Sequence, residues 1–250
     1  MSDKLVLYEV KEEIAYITLN RPEKGNALSP ELCAGLGRAW SRFEDDPAAR
    51  VAILGGAGMN FCVGLDLETG AAGEQALHLA FPANGVTIFK PIIAVVRGWA
   101  AGSGYKLACE GADITIAAES AHFSYPEPRV GIAGNLSFGV PYVLFKRALE
   151  FHLTGEPVGA RQALEMGLVN RVVPGARLMS EARRTAKILK ANAPLTLKAL
   201  KYGFYKTVNP QASRAAMEFK TWIRPQHESE DMQEGARAFR ERRKPRFQGR

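Results

Sequence analysis

Pro91-Ile-Ile-Ala-Val-Val-Arg-Gly-Trp-Ala-Ala-Gly-Ser-Gly-Tyr-Lys-Leu-Ala-Cys-Glu-Gly-Ala-Asp-Ile-Thr-Ile-Ala-Ala118 is the stretch on which the fold turns, and it closes with Phe123-Ser-Tyr-Pro-Glu127. Its apolar run Ile92 to Val96 reads as a buried strand that enters a glycine turn, then a helix, then a second strand, Ile114 to Ala117. Glu127 follows as a lone carboxylate. A glycine turn that opens a helix leaves backbone N–H groups unpaired at the positive end of the helix dipole. Such a turn can hold developing negative charge, and a neighbouring acid can move a proton.

Upstream, Leu5 to Val10 and Ile14 to Leu19 alternate as two strands of a hairpin around the charged turn Lys11-Glu12-Glu13. Ser29-Pro30-Glu31 is a helix start with Ser29 as N-cap, and Leu32, Leu36, Ala39, Trp40 and Phe43 share one face of that helix until Asp46-Pro47. Val51-Ala-Ile-Leu is a short buried strand that empties into a second glycine-rich loop, Gly55 to Asp66. Residues 70–90 read as an alanine-rich surface segment of unclear period, expected to be mobile or shaped to the substrate. Downstream, Pro141 to Leu153 is helical and ends at Gly155, Ala160 to Met166 is a short helix closed by Gly167, and Leu168 to Val173 is a strand. Helical spacings then take over: Leu178, Ala182, Thr185 and Leu189; Leu197, Leu200 and Phe204; a third helix from Asn209-Pro210; a fourth capped by Ser229. A change this late suggests an arm that packs on a neighbour or on the active site.

Composition narrows the function classes. With 250 residues and 46% apolar content the chain can bury one large core. No run of 18 apolar residues is present and Met1-Ser-Asp-Lys does not begin a secretory signal, so the expectation is a cytoplasmic protein without a membrane span. Cys33, Cys62 and Cys109 lack metal-ligand spacing and cannot all pair, which fits a reducing compartment and no metal. The formal charge is +7, but Arg237 to Arg250 holds seven basic residues against Glu241 and so carries +6 of it. Only this tail invites a polyanion or a phosphate group.

Asn20-Arg21-Pro22…Asn26-Ala27-Leu28, Phe61 to Leu67, Lys90 to Ala94, Gly98 to Gly104, Pro126-Glu127, Gly155-Glu156-Pro157…Gly167 to Asn170 and Phe239…Arg243-Lys244-Pro245-Arg246-Phe247 together resemble the crotonase, or enoyl-CoA hydratase/isomerase, superfamily. The resemblance implies an α/β fold: a crotonase-like spiral of β-β-α units over 1–175 that holds the active site. It also implies a helical C-terminal trimerisation region over 176–250 that touches coenzyme A (CoA). The substrate is then an acyl-CoA thioester, with CoA as part of the substrate and no permanently bound cofactor, and the assembly a homotrimer or a dimer of trimers. By position the backbone N–H groups of Leu65 and Ser103 form an oxyanion hole, and Glu127 is the acid–base. Gly64 and Gly102 line the substrate, while Lys24, Ala27, Asp66, Leu67 and Lys244 are placed to meet CoA. A nucleic-acid partner is not expected, although one branch of the superfamily binds RNA, because the tail has no aromatic stacking platform beyond Phe239 and Phe247.

The sequence departs from the family's hydratases, which pair two glutamates. Counted forward from Gly98 the first of these falls on Lys106; counted back from Asp113 it falls on Leu107. The disagreement implies one extra residue in the helix or at its end, and one residue rotates a helical face by about 100°. Glu110, one turn on, is the nearest acid and is spaced for an i,i+4 ion pair with Lys106. Asn135 stands where some dienoyl-CoA isomerases place an aspartate, and His122 is a weaker candidate, more in keeping with a structural role beside a strand. With one carboxylate, a proton can be shuttled between α- and γ-carbons, which is isomerisation; hydration is served better by two. The open alternatives are a hydratase using a non-standard second group, a C–C bond hydrolase without CoA, and a catalytically lapsed or RNA-binding relative.

Overall fold

The computed structural model describes residues 5–82, 88–131, 145–208 and 230–246. The alternating N-terminal runs form an antiparallel hairpin, β1 (Val6–Lys11) and β2 (Ile14–Leu19), with Val6 opposite Leu19. Its turn is only Glu12-Glu13, both at positive φ (+51° and +61°), the backbone that a two-residue hairpin turn requires. The apolar runs that follow are β3 (Val51–Gly56), β4 (Ile92–Val96) and β6 (Ile114–Ala118), which lie parallel beside β2 in that order. β9 (Arg171–Val173) completes the six-stranded sheet β1-β2-β3-β4-β6-β9. That last strand is shorter than the sequence suggested. Leu168 N–H is drawn back to the Ala163 carbonyl at 2.9 Å, so residues 168–170 close the preceding helix before the strand begins.

The parallel strands are buried on both faces, as their unbroken Val, Ile and Ala content demands. On one face Ala52, Leu54, Ala94 and Val96 pack with α1 (Pro30–Asp45) and α3 (Ser103–Cys109). On the other, Val51, Ile53, Ile93, Val95 and Ile116 meet Leu178, Ala182 and Ala186 of α6 (Leu178–Ala191). α1 starts as its sequence dictates: Ser29 Oγ accepts from Leu32 N–H, Pro30 occupies the first turn, and Leu32, Leu36, Ala39, Trp40 and Phe43 are buried. Segment 70–82 docks on this helix; Ala80 is fully buried and its carbonyl accepts from Trp40 Nε1 at 2.9 Å. Only its first part, α2 (Gly70–Ala76), is α-helical.

A second, three-stranded sheet was not evident in the sequence. β5 (Trp99–Ala101) runs parallel to β7 (His122–Ser124), which pairs with β8 (Val158–Gly159). Two strands of the large sheet are thus each followed by a strand of the small one, β4 by β5 and β6 by β7, the unit of the β-β-α spiral. Cys62 joins the same ladder by a bridge to Ala100, and Leu65 bridges Leu28. The remaining α-helices among the described residues are α4 (Phe145–Thr154), α5 (Ala160–Met166), α7 (Pro194–Val208) and α8 (Glu230–Arg240). The helix expected from Asn209 and the Ser229 cap lie outside the described residues; the helix that Ser229 was expected to open is described from Glu230.

α7 is fastened to the core by charge. Lys198 Nζ meets Glu44 Oε1 at 3.0 Å, and Lys201 Nζ meets Asp113 Oδ2 at 2.7 Å and the Lys90 carbonyl at 3.0 Å. Asp113 Oδ2 also accepts from Ile92 N–H at 2.7 Å, so one carboxylate ties the start of β4 to α7. Asp113→Ala is expected to lower the unfolding free energy by about 2 kcal/mol, the scale of a lost charge-assisted hydrogen bond. In urea titration the midpoint falls, and amide exchange accelerates in α7 while α1 stays protected.

Candidate active site

Two loops meet at the ends of β3 and β4. The first is pinned to the second by backbone bonds, Phe61 N–H to Arg97 O (2.9 Å), Cys62 N–H to Trp99 O (3.0 Å) and Ala101 N–H to Cys62 O (3.0 Å), and by Trp99 N–H to Asn60 Oδ1 (3.0 Å). A Cβ on Gly104 would stand 2.2 Å from the Cys62 carbonyl oxygen, and one on Gly64 would stand 3.0 Å from Ala101 O and 3.8 Å from Ser103 N. The Gly64-Leu65 corner therefore lies on the Ala101-Gly102-Ser103 turn. Gly64 O accepts from Leu28 N–H and Asp66 N–H donates to Leu28 O. Neither the Leu65 nor the Ser103 N–H has an acceptor among the described residues, and both residues are half-buried.

Gly102, at φ +51°, is the third contact. Its N–H donates to Ser124 O, and a Cβ there would sit 3.1 Å from Glu127 Oε1. The carboxylate of Glu127 is thus placed against the turn that carries Ser103. Burial raises the proton affinity of Glu127 above the ordinary carboxylate range, and the Lys106 ammonium acts the other way. Glu127 Oε2 is buried without a hydrogen-bond partner among the described residues. Lys106 lies on α3, with Nζ 5.2 Å from the Tyr125 ring centroid. Its own proton affinity is lowered by burial and sustained by Glu110 and Glu127. Leu107, the other residue the counting allowed, is fully buried in the core. At the end of α3 the N–H groups of Glu110 and Gly111 both donate to the Lys106 carbonyl at 2.9 Å, which closes the helix there.

His152 on α4 closes this cluster; its ring lies 4.6 Å from that of Tyr125. Nδ1–H donates to the Ala148 carbonyl at 2.8 Å, which leaves Nε2 as a buried acceptor, and burial depresses the basicity of the ring. The sequence reading did not pick out His152; its signal, a histidine amid apolar positions of a helix, is common in cores.

Of the residues expected to meet CoA, Lys24, Ala27, Asp66 and Leu67 lie on two adjoining segments, which Arg21 joins through Ala27 and Asp66. Lys24 is exposed and its Nζ meets Glu68 Oε2 at 3.1 Å. Ala27 is buried, and its carbonyl accepts from Arg21 Nη1 at 3.2 Å. Asp66 contributes its side chain: Oδ2 accepts from Arg21 Nη1 at 2.6 Å, and Arg21 holds the carboxyl below its usual range. Leu67 is exposed. The motif around Asn20 to Leu28 thus contributes Arg21 and Asn26 as braces, Asn26 Nδ2 donating to Ala57 O and Asn60 O at 2.9 Å each. His122 is exposed and stacked on Trp99. Asn135 lies outside the described residues. Among the described residues no cluster of His, Cys, Asp or Glu could hold a metal ion, and no helix is long and apolar enough to cross a membrane.

The basic tail is less free than its sequence implied. Lys244 is exposed, but Arg237 and Arg243 both bind the buried Glu234 carboxylate, which also accepts from Arg246 N–H at 3.0 Å. Counting charge only from Arg237 omitted Glu230, Asp231 and Glu234 on the same helix. α8 packs on the Glu127–Val130 turn; a Cβ on Gly235 would stand 2.0 Å from Val130 O.

A sequence profile for the enoyl-CoA hydratase/isomerase family matches residues 9–250. (E)-benzylidenesuccinyl-CoA hydratase of Thauera aromatica is 35% identical over 257 residues, spanning 98% of this chain and 99% of that protein. Carnitinyl-CoA dehydratase of Escherichia coli K12 is 39% identical over 252 residues, 95% of each. A solved carnitinyl-CoA dehydratase from Mycobacterium avium 104 superposes with a TM-score of 0.86 at 32% identity, covering 99% of this chain and 100% of that one.

The loop contact makes a prediction that needs no substrate. Gly104→Ala forces a methyl group onto the Cys62 carbonyl and is expected to cost about 1–3 kcal/mol or more of folding stability, the scale of overpacking. Thermal unfolding reads this directly, and Gly159→Ala, where a Cβ meets nothing within 4 Å, leaves the midpoint in place.

Proposed function

Because the chain belongs to the enoyl-CoA hydratase/isomerase family, the crotonase superfamily, we propose that Glu127 alone moves the proton in its reaction on an acyl-CoA thioester. An enolate forms under the paired N–H groups of Leu65 and Ser103. The observation that carries this reading is the placement of the Glu127 carboxylate against Gly102, beside two backbone donors that have no acceptor among the described residues. In a 3-enoyl-CoA the carboxylate takes the α-proton, and the C–H electron pair passes toward the carbonyl oxygen. Return of that charge shifts the double bond and the γ-carbon takes the proton back from Glu127. A fixed donor at such an oxygen contributes about 3 kcal/mol to the transition state.

A second reading has its own support. The Lys106 ammonium is acted on by both Glu110 and Glu127, and the relatives named above are a hydratase and a dehydratase. One of these two side chains would then serve as a non-standard second group for water. Incubation with 2-enoyl- and 3-enoyl-CoA esters, following water uptake and double-bond position separately, discriminates the two. Double-bond migration without hydration is the expected result. Glu127→Gln is expected to lower it roughly 10²–10⁴-fold, the usual contribution of a positioned acid–base. Full turnover in that variant would end the assignment.

The exposed apolar residues Leu195, Leu200 and Phe204 on α7 support assembly through the C-terminal helices, as the family resemblance implies. Sedimentation is expected to report three or six copies, and the double variant Leu200→Asp/Phe204→Asp a smaller species.

A further inference from the structure

We propose that Arg21 is a positioning residue for the oxyanion hole: through two peptide planes its guanidinium aims and polarises the Leu65 N–H. The inference rests on the reading that Leu65 is one of the two donors, and it gives the Asn20 to Leu28 motif a share in the chemistry.

The relay is built of direct hydrogen bonds. Arg21 Nη1 donates to the Ala27 carbonyl at 3.2 Å. That carbonyl belongs to the planar Ala27–Leu28 peptide, so the N–H of the same plane points the opposite way. There the Leu28 N–H donates to Gly64 O at 2.8 Å. The geometry repeats in the Gly64–Leu65 peptide: its carbonyl is held on Leu28, so its N–H is turned away from Leu28. The Leu65 N–H is thus the last donor of a chain that starts at a cation. Hydrogen bonds in series polarise one another, and a charged donor at the head strengthens the first of them.

Two further contacts keep the head of the chain in place. Arg21 Nη1 also donates to Asp66 Oδ2 at 2.6 Å, and both side chains are largely out of water. Asp66 N–H donates to Leu28 O at 3.1 Å. Leu65 therefore sits between two residues, Gly64 and Asp66, that are each fastened to Leu28. One guanidinium nitrogen holds a neighbour of each half of the Leu28–Leu65 bridge, Ala27 on one side and Asp66 on the other. Its two hydrogens are enough for both acceptors.

The loops stay joined without this side chain. Val63 N–H donates to Gly25 O at 3.1 Å, and Asn26 Nδ2 spans Ala57 O and Asn60 O at 2.9 Å each. Loss of the guanidinium is therefore expected to loosen the Gly64–Leu65 peptide while the two segments remain together. An enolate oxygen feels that change strongly. The ground-state thioester oxygen carries less charge and feels it little. The signature is a lower rate at saturation with the half-saturating concentration in place.

The test follows α-proton exchange of butyryl-CoA in D₂O on the full chain, with nitrogen-15 leucine spectra of the same proteins. The Leu65 amide signal is the one lost in Leu65→Ile. Arg21→Met is expected to lower the saturating exchange rate roughly 10–10²-fold, the scale for a misplaced catalytic group. The half-saturating concentration stays, and the Leu65 signal of the ligand-free protein shifts or broadens. Arg21→Lys, whose shorter arm keeps the ion pair with Asp66 and releases the Ala27 carbonyl, is expected to fall between. It is read in place of the methionine variant should that one not fold. An unmoved Leu65 signal overturns the proposal, as does a change confined to the half-saturating concentration. Absence of exchange in the unaltered protein, or a Leu65 signal that butyryl-CoA does not move, counts against the oxyanion-hole reading. The ligand-free Leu65 signal then judges Arg21 by itself.

Discussion

Backbone resting on backbone, between the Cys62–Leu65 loop and the Ala101–Gly104 turn, is the constraint on which the site depends. Gly64 and Gly104 stand where a methyl group would meet a carbonyl oxygen, so the two loops close to a distance that only glycine permits. The large sheet makes the meeting possible. β3 and β4 run parallel with Ala52 opposite Ile92, so both release their loops at the same end. The small sheet then takes over, pairing Cys62 with Ala100 and Ala101 with Ser124, and β7 delivers Glu127 three residues later. In an open α/β sheet, ligands bind beyond the carboxyl ends of the strands for the same topological reason.

The second determinant is dielectric. Glu127, Lys106, Tyr125 and His152 are gathered away from water, and each is driven toward its neutral form by burial. Charges in such a place are tolerated when they answer one another and are costly otherwise. Glu127 Oε2 and His152 Nε2 are buried polar atoms without a hydrogen-bond partner among the described residues. Unsatisfied buried groups of this kind concentrate where a ligand or water completes the set.

Much of this was legible in the residues. The apolar runs of β3, β4 and β6, the Ser29-Pro30 helix start and the glycine-closed helices α4 and α5 follow from local rules that tertiary structure did not override. So did the meeting of Gly64, Gly102 and Glu127, though only through the resemblance. What stayed hidden was short or long-range. β5 is three residues between glycines, too brief for a period, and exists because β7 pairs with it. Leu168 looked like a strand because it is apolar, but helix closure claimed its N–H. The tail looked like free positive charge because Glu234 lies upstream of where the basic run starts. The braces Arg21 and Asn26 sat inside a recognised motif, yet nothing local says which of its polar residues turns inward.

The end of α3 has a consequence for how such chains can drift. The Lys106 carbonyl accepts two N–H groups, four and five residues on, so the last turn closes on the backbone of this residue. Upstream, the helix keeps its phase: Leu107 still points to the core and Lys106 to the pocket. Downstream, Asp113 still reaches the start of β4. One residue therefore does two separable things: its backbone closes the helix and its side chain charges the site. A substitution at 106 leaves the closure in place, because any residue supplies the same carbonyl, and changes the charge alone.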